Sequence, residues 1–170
     1  MTRDDGRGTP VDRTGPSETE SLAFEFDLPH PPEKVWRALT EPELLAEWLL
    51  PVAGLELEPG ATFRFEAEPT SGWDGIVRWL RGLGVDAVKC RMLEIEAERK
   101  LSYRWVVGDP GDDFFLDTVV TFTLTPTASG TRLTLVQSGF EPEQKRNFAG
   151  ARYGWRMMGE KLVDLLARLP

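Results

Sequence analysis

A single histidine, His30, and a single cysteine, Cys90, bound the nucleophilic and proton-transfer chemistry open to this chain. His30 would have to act as general base, metal ligand or triad member in any such scheme. It sits in the proline-rich run Pro29-His30-Pro31-Pro32, where a solvated turn residue is expected. Cys90 needs a nearby base to become a thiolate. Its neighbours Lys89 and Arg91 should point to the opposite face of a strand, which makes Cys90 a small core residue. One cysteine and one histidine cannot complete a Cys/His zinc site, and no metal is expected. Glu94, Glu96 and Glu98 would share one strand face, and two carboxylates in a dry site could split their pKa values for acid and base work. Three in succession without interleaved partners mark a solvated face instead. Asp112, Asp113 and Asp117 lack the ligand spacing and glycine of a calcium loop. Gly82 to Ala87 formally reads G-x-G-x-x-A, but a dinucleotide fingerprint needs a parallel β-α-β unit around it. None is readable afterwards, so a glycine turn is expected, and no cofactor.

The polar residues that rise above this background lie inside apolar patterns: Tyr103, Thr118 and Gln137. A pocket for a mostly apolar ligand needs a few such groups to fix orientation, because a buried polar group without a partner is costly. Hydrogen bonding of these groups to one another explains the pattern equally well. Trp36, Trp48, Trp73, Trp105, Trp155, Met157 and Met158 supply adaptable surface that suits either a core or a pocket. Arg104 and Arg152 could meet a ligand carboxylate, with a surface position as the default.

The elements that must carry these residues can be read from periodicity. Leu22, Phe24, Phe26 and Leu28 alternate with polar residues as in a half-buried strand that stops at Pro29. Pro31-Pro32-Glu33 opens a helix with Val35, Trp36 and Leu39 inward, and Glu41-Pro42 breaks and restarts it for Leu44, Leu45, Trp48 and Leu49. Strands follow over 61–67 and 101–107, with Leu101, Tyr103, Trp105 and Val107 on one face. Leu116, Thr118, Val120, Phe122 and Leu124 lead through a turn at 127–130 to Leu133, Leu135 and Gln137, a hairpin. Residues 88–97 fit a strand, although Val85, Val88, Met92 and Ile95 also suit helical spacing. Phe148, Ala151, Trp155, Met158, Leu162, Leu165 and Leu169 recur every three or four residues and define one long amphipathic helix, with Asp164 and Arg168 spaced to pair on its wet side. The economical packing is an α+β fold in which a curved antiparallel sheet of about six strands grips the final helix.

Composition agrees. The 170 residues are 41% apolar, enough for one domain with a sizeable core. Residues 1–20 hold glycine, proline and charge with Val11 the only aliphatic, and are expected to be a disordered tail before a domain over 21–170. A net charge of −8 repels phosphate backbones and anionic headgroups, so neither nucleic acid nor membrane is an expected partner. No apolar run approaches the roughly 18 residues of a membrane span, no signal peptide core is present, and a lone cysteine suits a reducing compartment. A cytoplasmic location is expected.

The segments FEFDLPHPPEKVWRALTEPELLAEWL, LSYRW, LDTVVTFTLTPTASGTRLTLVQSGF and YGWRMMGEKLVDLL, in this order, resemble the AHSA-type branch of the START-like superfamily. That branch is named for activators of the ninety-kilodalton heat-shock protein's ATPase. The resemblance covers 21–169 and implies a helix-grip fold with a cavity between sheet and helix. One departure is an inserted segment close to RWLRGLGVDAVK, which bears on one rim of that cavity.

The leading functional expectation is binding of a small hydrophobic or aromatic molecule by Trp36, Phe65, Tyr103, Trp105, Thr118, Val120, Gln137, Trp155, Met158 and Leu162. Trp155 is expected to border a void, so that its truncation costs less than the roughly 3–5 kcal/mol of a packed core tryptophan. An enzyme of the polyketide cyclase or hydrolase kind is the second expectation, with only Tyr103 and carboxylates as candidate acid–base groups. The third is a chaperone-ATPase partner that uses the sheet surface.

Overall fold

The computed structural model describes residues 11–12, 21–67, 87–112, 115–141 and 145–170. The first long strand, β2 (Ser21–Leu28), buries Leu22, Phe24, Phe26 and Leu28, and β1 (Val11–Asp12) pairs antiparallel along its outer edge. β1 lies in the stretch expected to precede the fold. Two residues are too few to show alternation, and backbone pairing to β2 together with an ion pair from Asp12 to Arg152 holds this segment.

Pro31 precedes α1 (Pro32–Thr40), whose Pro32 sacrifices only an amide that would lack a helical partner anyway. The Val35 amide donates to the Pro31 carbonyl at 3.2 Å. Pro42 cannot continue that helix, so Glu41 ends α1 and starts α2 (Pro42–Trp48). The buried Trp48 indole N–H then donates to the Ala38 carbonyl at 2.7 Å and ties the two short helices together.

β3 (Val52–Ala53), β4 (Thr62–Glu66), β5 (Ala87–Glu96), β6 (Lys100–Val107), β7 (Leu116–Thr127) and β8 (Gly130–Ser138) complete one antiparallel sheet in the order β1-β2-β8-β7-β6-β5-β4-β3. The eight strands among the described residues exceed the six expected because β1 and β3 are two residues each. β5 is a strand after all, with its register shifted between Met92 and Glu94. That shift defeats strict alternation and explains the helical reading of the same residues. The start of β8, beside the last residues of β2, is pinned by Gly130, where an added Cβ would lie 2.1 Å from the Leu28 carbonyl oxygen. Only glycine permits that approach.

α3 (Lys145–Arg168) buries Trp155, Met158, Leu162, Leu165 and Leu166 against the concave face, beside α1, α2 and β2. Lys34 donates from Nζ to the Leu169 carbonyl at 2.9 Å, placing a cation at the negative end of this helix. Arg168 reaches Glu47 of α2 at 3.6 Å instead of the Asp164 expected from spacing. Packing against α2 brings that partner within range. No described helix is long and apolar enough to cross a membrane.

Candidate functional site

Inward alternation on β5 to β8 stacks large side chains in register across the concave face. Thr118 faces Trp105, Trp105 faces Cys90 and Cys90 faces Phe63; in the adjacent row Gln137 faces Val120, Val120 faces Tyr103 and Tyr103 faces Met92. Thr118 and Val120 are two residues apart on one face, so Gln137 meets Thr118 diagonally.

This diagonal is a hydrogen-bonded chain. The Trp155 indole N–H donates to Gln137 Oε1 at 2.7 Å, Gln137 Nε2 donates to Thr118 Oγ1 at 2.8 Å, and the Thr118 hydroxyl donates to the Trp105 carbonyl at 2.9 Å. All three side chains are buried. Mutual satisfaction therefore accounts for Thr118 and Gln137, and the chain fastens α3 to the sheet. An amide carries two N–H donors, and the second on Gln137 Nε2 has no partner among the described residues. Thr118→Val should strand the Gln137 donor as well and destabilise by about 1–3 kcal/mol, read as a fall in thermal midpoint of about 2–4 °C per kcal/mol.

A cavity of ≈ 40 Å³ lies between α3 and the sheet, and among the described residues Gln137 is the only one on its wall with an amide, hydroxyl or charged side chain. Gly150, Ala151, Gly154, Trp155 and Met158 face it from the helix, at offsets that share one helical face. Leu50, Val88, Trp105, Val107 and Leu116 close the opposite side. Of the residues expected to bind ligand, Trp105, Gln137, Trp155 and Met158 line this space, and Thr118 stands one hydrogen bond behind Gln137. Phe65 packs on Trp105 with ring centroids 5.5 Å apart, behind the wall. Tyr103, Val120 and Leu162 are core residues off the wall, and Trp36 is half-buried on α1 away from it. The glycines on α3 were not singled out from sequence. Their signal was present: glycine is unfavourable inside a helix, yet Gly150 and Gly154 fall on the apolar stripe.

The candidate nucleophiles and acids sit elsewhere. Burial pushes the Cys90 thiol up, so it is held as a thiol. Burial, with Cys90 as a lesser cause, likewise raises the Tyr103 phenol well above its ordinary value. Glu94 and Glu96 are exposed on β5, with Glu94 paired to Lys100 at 2.6 Å. Glu98 does not share their face; it sits in the turn with φ 64°. Arg104 pairs with Asp117, and Asp112 accepts from the Asp109 amide at 2.8 Å. Gly82, Gly84, Asp113 and Trp73 lie outside the described residues, as does most of the inserted segment. Its final residues enter β5, antiparallel to both neighbours.

His30 is half-buried and stands 3.2 Å from Lys34 Nζ through Nδ1. Desolvation first and the Lys34 charge second lower its pKa below the ordinary value of about 6.5. The folded state thus prefers the neutral ring and the unfolded state takes up the proton first, so stability falls as pH drops below about 6.5. His30→Ala should flatten that part of a plot of thermal midpoint against pH while leaving ligand affinity nearly unchanged.

Comparison with known proteins supplies the wider frame. A sequence profile described as Activator of Hsp90 ATPase homolog 1-like protein matches residues 29–167. The solved structure of protein MLL2253 from Mesorhizobium loti is similar at 39% identity and TM-score 0.72, covering 88% of this chain and 98% of that one. A solution structure of a protein from Arthrobacter aurescens aligns with TM-score 0.70 and 20% identity over 89% of this chain and 88% of that one. CalU16 from Micromonospora echinospora aligns with TM-score 0.64 and 20% identity over 95% and 85%. No curated protein matches.

Proposed function

We propose that this chain, which belongs to the Activator of Hsp90 ATPase homolog 1-like family of the START-like superfamily, binds a small apolar or aromatic molecule between α3 and the concave face of its sheet. The observation that carries this reading is the pair of cavity-facing glycines on α3, Gly150 and Gly154. Each weakens the helix by roughly 0.5–1 kcal/mol relative to alanine, and a side chain at either position would fill the space that glycine leaves.

The cavity of ≈ 40 Å³ is close to the volume of one water. A ligand therefore needs more room, and Met158, with its unbranched adaptable side chain, together with the glycine-bearing part of α3, is where the room is made. Among the described residues no carboxylate or imidazole lines the cavity, which favours binding over catalysis.

Native mass spectrometry of the purified chain tests this directly. An added mass that disappears on denaturation is expected. A bare chain mass, together with a thermal midpoint unmoved by apolar aromatic probes, would contradict it.

A second reading, a partner of a chaperone ATPase, follows the family's description and has one observation in its favour. On the outer sheet face Arg64 lies opposite Lys89 and Arg91 opposite Arg104, a local gathering of cations on a chain of net charge −8. Arg64, Lys89 and Arg104 pair with Glu66, Asp109 and Asp117 of the chain itself, so Arg91 is the cation of this group without an acidic partner among the described residues and the one an acidic partner surface would meet. A rise in a chaperone's ATPase rate on adding this chain would favour that reading.

A further inference from the structure

Tyr103 is 2% exposed, and its hydroxyl makes no hydrogen bond to any described residue. Its ring is held among Phe63, Phe65 and Phe122 at centroid separations of 5.2, 6.1 and 6.2 Å. Phenylalanine would fill the same place without leaving a polar group unpaired, and buried tyrosine hydroxyls ordinarily find a partner.

Two of those rings connect Tyr103 to the cavity wall. Phe65 also packs on Trp105, and Phe122 packs on Trp155 at 6.1 Å. Tyr103 and Gln137 both face Val120 from either side in one row of the sheet, which puts their backbones about 10 Å apart by ordinary strand spacing. The row thus holds two polar groups with unused donors at the edges of an aromatic surface.

We infer that the Tyr103 hydroxyl is the specificity-determining hydrogen-bond donor for the ligand, and that the ligand is an aromatic molecule bearing a carbonyl oxygen. This rests on the cavity reading. Tyr103 lies off the present cavity wall, behind Phe65, which packs on Trp105, and Phe122, which packs on Trp155, so on this proposal the ligand reaches its hydroxyl by displacing one of these two rings. The phenol is neutral there, so it donates a hydrogen bond and does not act as a base.

The test compares acetylnaphthalene with its hydrocarbon isostere isopropenylnaphthalene, on the parent chain and on Tyr103→Phe. Without ligand, Tyr103→Phe should raise the thermal midpoint by about 2–4 °C. An unchanged or lower midpoint would show that the hydroxyl is already satisfied within the protein and would overturn the inference. The parent should prefer the ketone by about tenfold, the worth of one good hydrogen bond, and Tyr103→Phe should erase the preference while still binding the hydrocarbon. Equal affinities in the parent, or a preference that survives in Tyr103→Phe, would overturn the donor assignment and leave the cavity reading standing. Binding of neither compound by the parent would remove the cavity reading and the donor with it.

Discussion

Replacing Trp155 by alanine is expected to destabilise the fold by about 3–5 kcal/mol, the range of a fully packed aromatic core deletion. Sequence alone suggested a smaller loss, because the indole was expected to border a void. The indole is only 2% exposed, however, and packs on Trp105 at 5.3 Å and on Phe122 at 6.1 Å. A cavity of ≈ 40 Å³ relieves little of that contact. Truncation also leaves Gln137 Oε1 without its 2.7 Å donor. The expected fall in thermal midpoint is about 6–20 °C. Phe24→Ala, at a fully buried position in the middle of β2, is the control and should fall by a similar amount. A Trp155→Ala loss near 1 kcal/mol would mean a looser helix–sheet junction than the hydrogen-bonded chain implies.

Gly154→Leu should have the largest effect on binding. Its side chain enters a space of ≈ 40 Å³ beside Trp155, too little for a leucine and a ligand together. Affinity for an apolar aromatic probe should drop beyond detection. Stability should change less, because the gain of about 1 kcal/mol from removing a helical glycine opposes an overpacking cost of about 1–3 kcal/mol. Gly154→Ala separates the two effects: it should gain up to about 1 kcal/mol and weaken the probe only partly. If Gly154→Leu binds as the parent does, the ligand does not use this space.

The contrast between these two positions shows what was legible beforehand. Alternation and helical spacing act on side chains that are wholly buried or wholly wet, so β2, β6, the β7–β8 hairpin and α3 could be read with little ambiguity. β1 and β3 were missed because two residues carry no period. Gln137 and Thr118 were identified as misplaced polar groups, but that each satisfies the other depends on strand register, which β7 and β8 fix only in three dimensions. Cavity walls are harder still. Four expected ligand residues line the space because large inward side chains near the middle of a sheet face the helix. Gly150 and Gly154 define the space by what they lack, a property that a search for apolar side chains passes over. Leu162 and Val120 fit the same apolar pattern and are core.

Thermal unfolding of the parent chain followed by tryptophan emission over a series of acetylnaphthalene concentrations, run in parallel on Gly154→Leu, tests the central claim most directly. A ligand that binds only the folded state stabilises it by about 2.7 kcal/mol at a hundred times its dissociation constant. The parent's thermal midpoint should therefore climb with probe concentration by about 5–11 °C over that range, with tryptophan emission quenched in step, while Gly154→Leu shows neither change. A parent midpoint independent of probe concentration, or an equal climb in Gly154→Leu, would contradict a ligand site between α3 and the sheet.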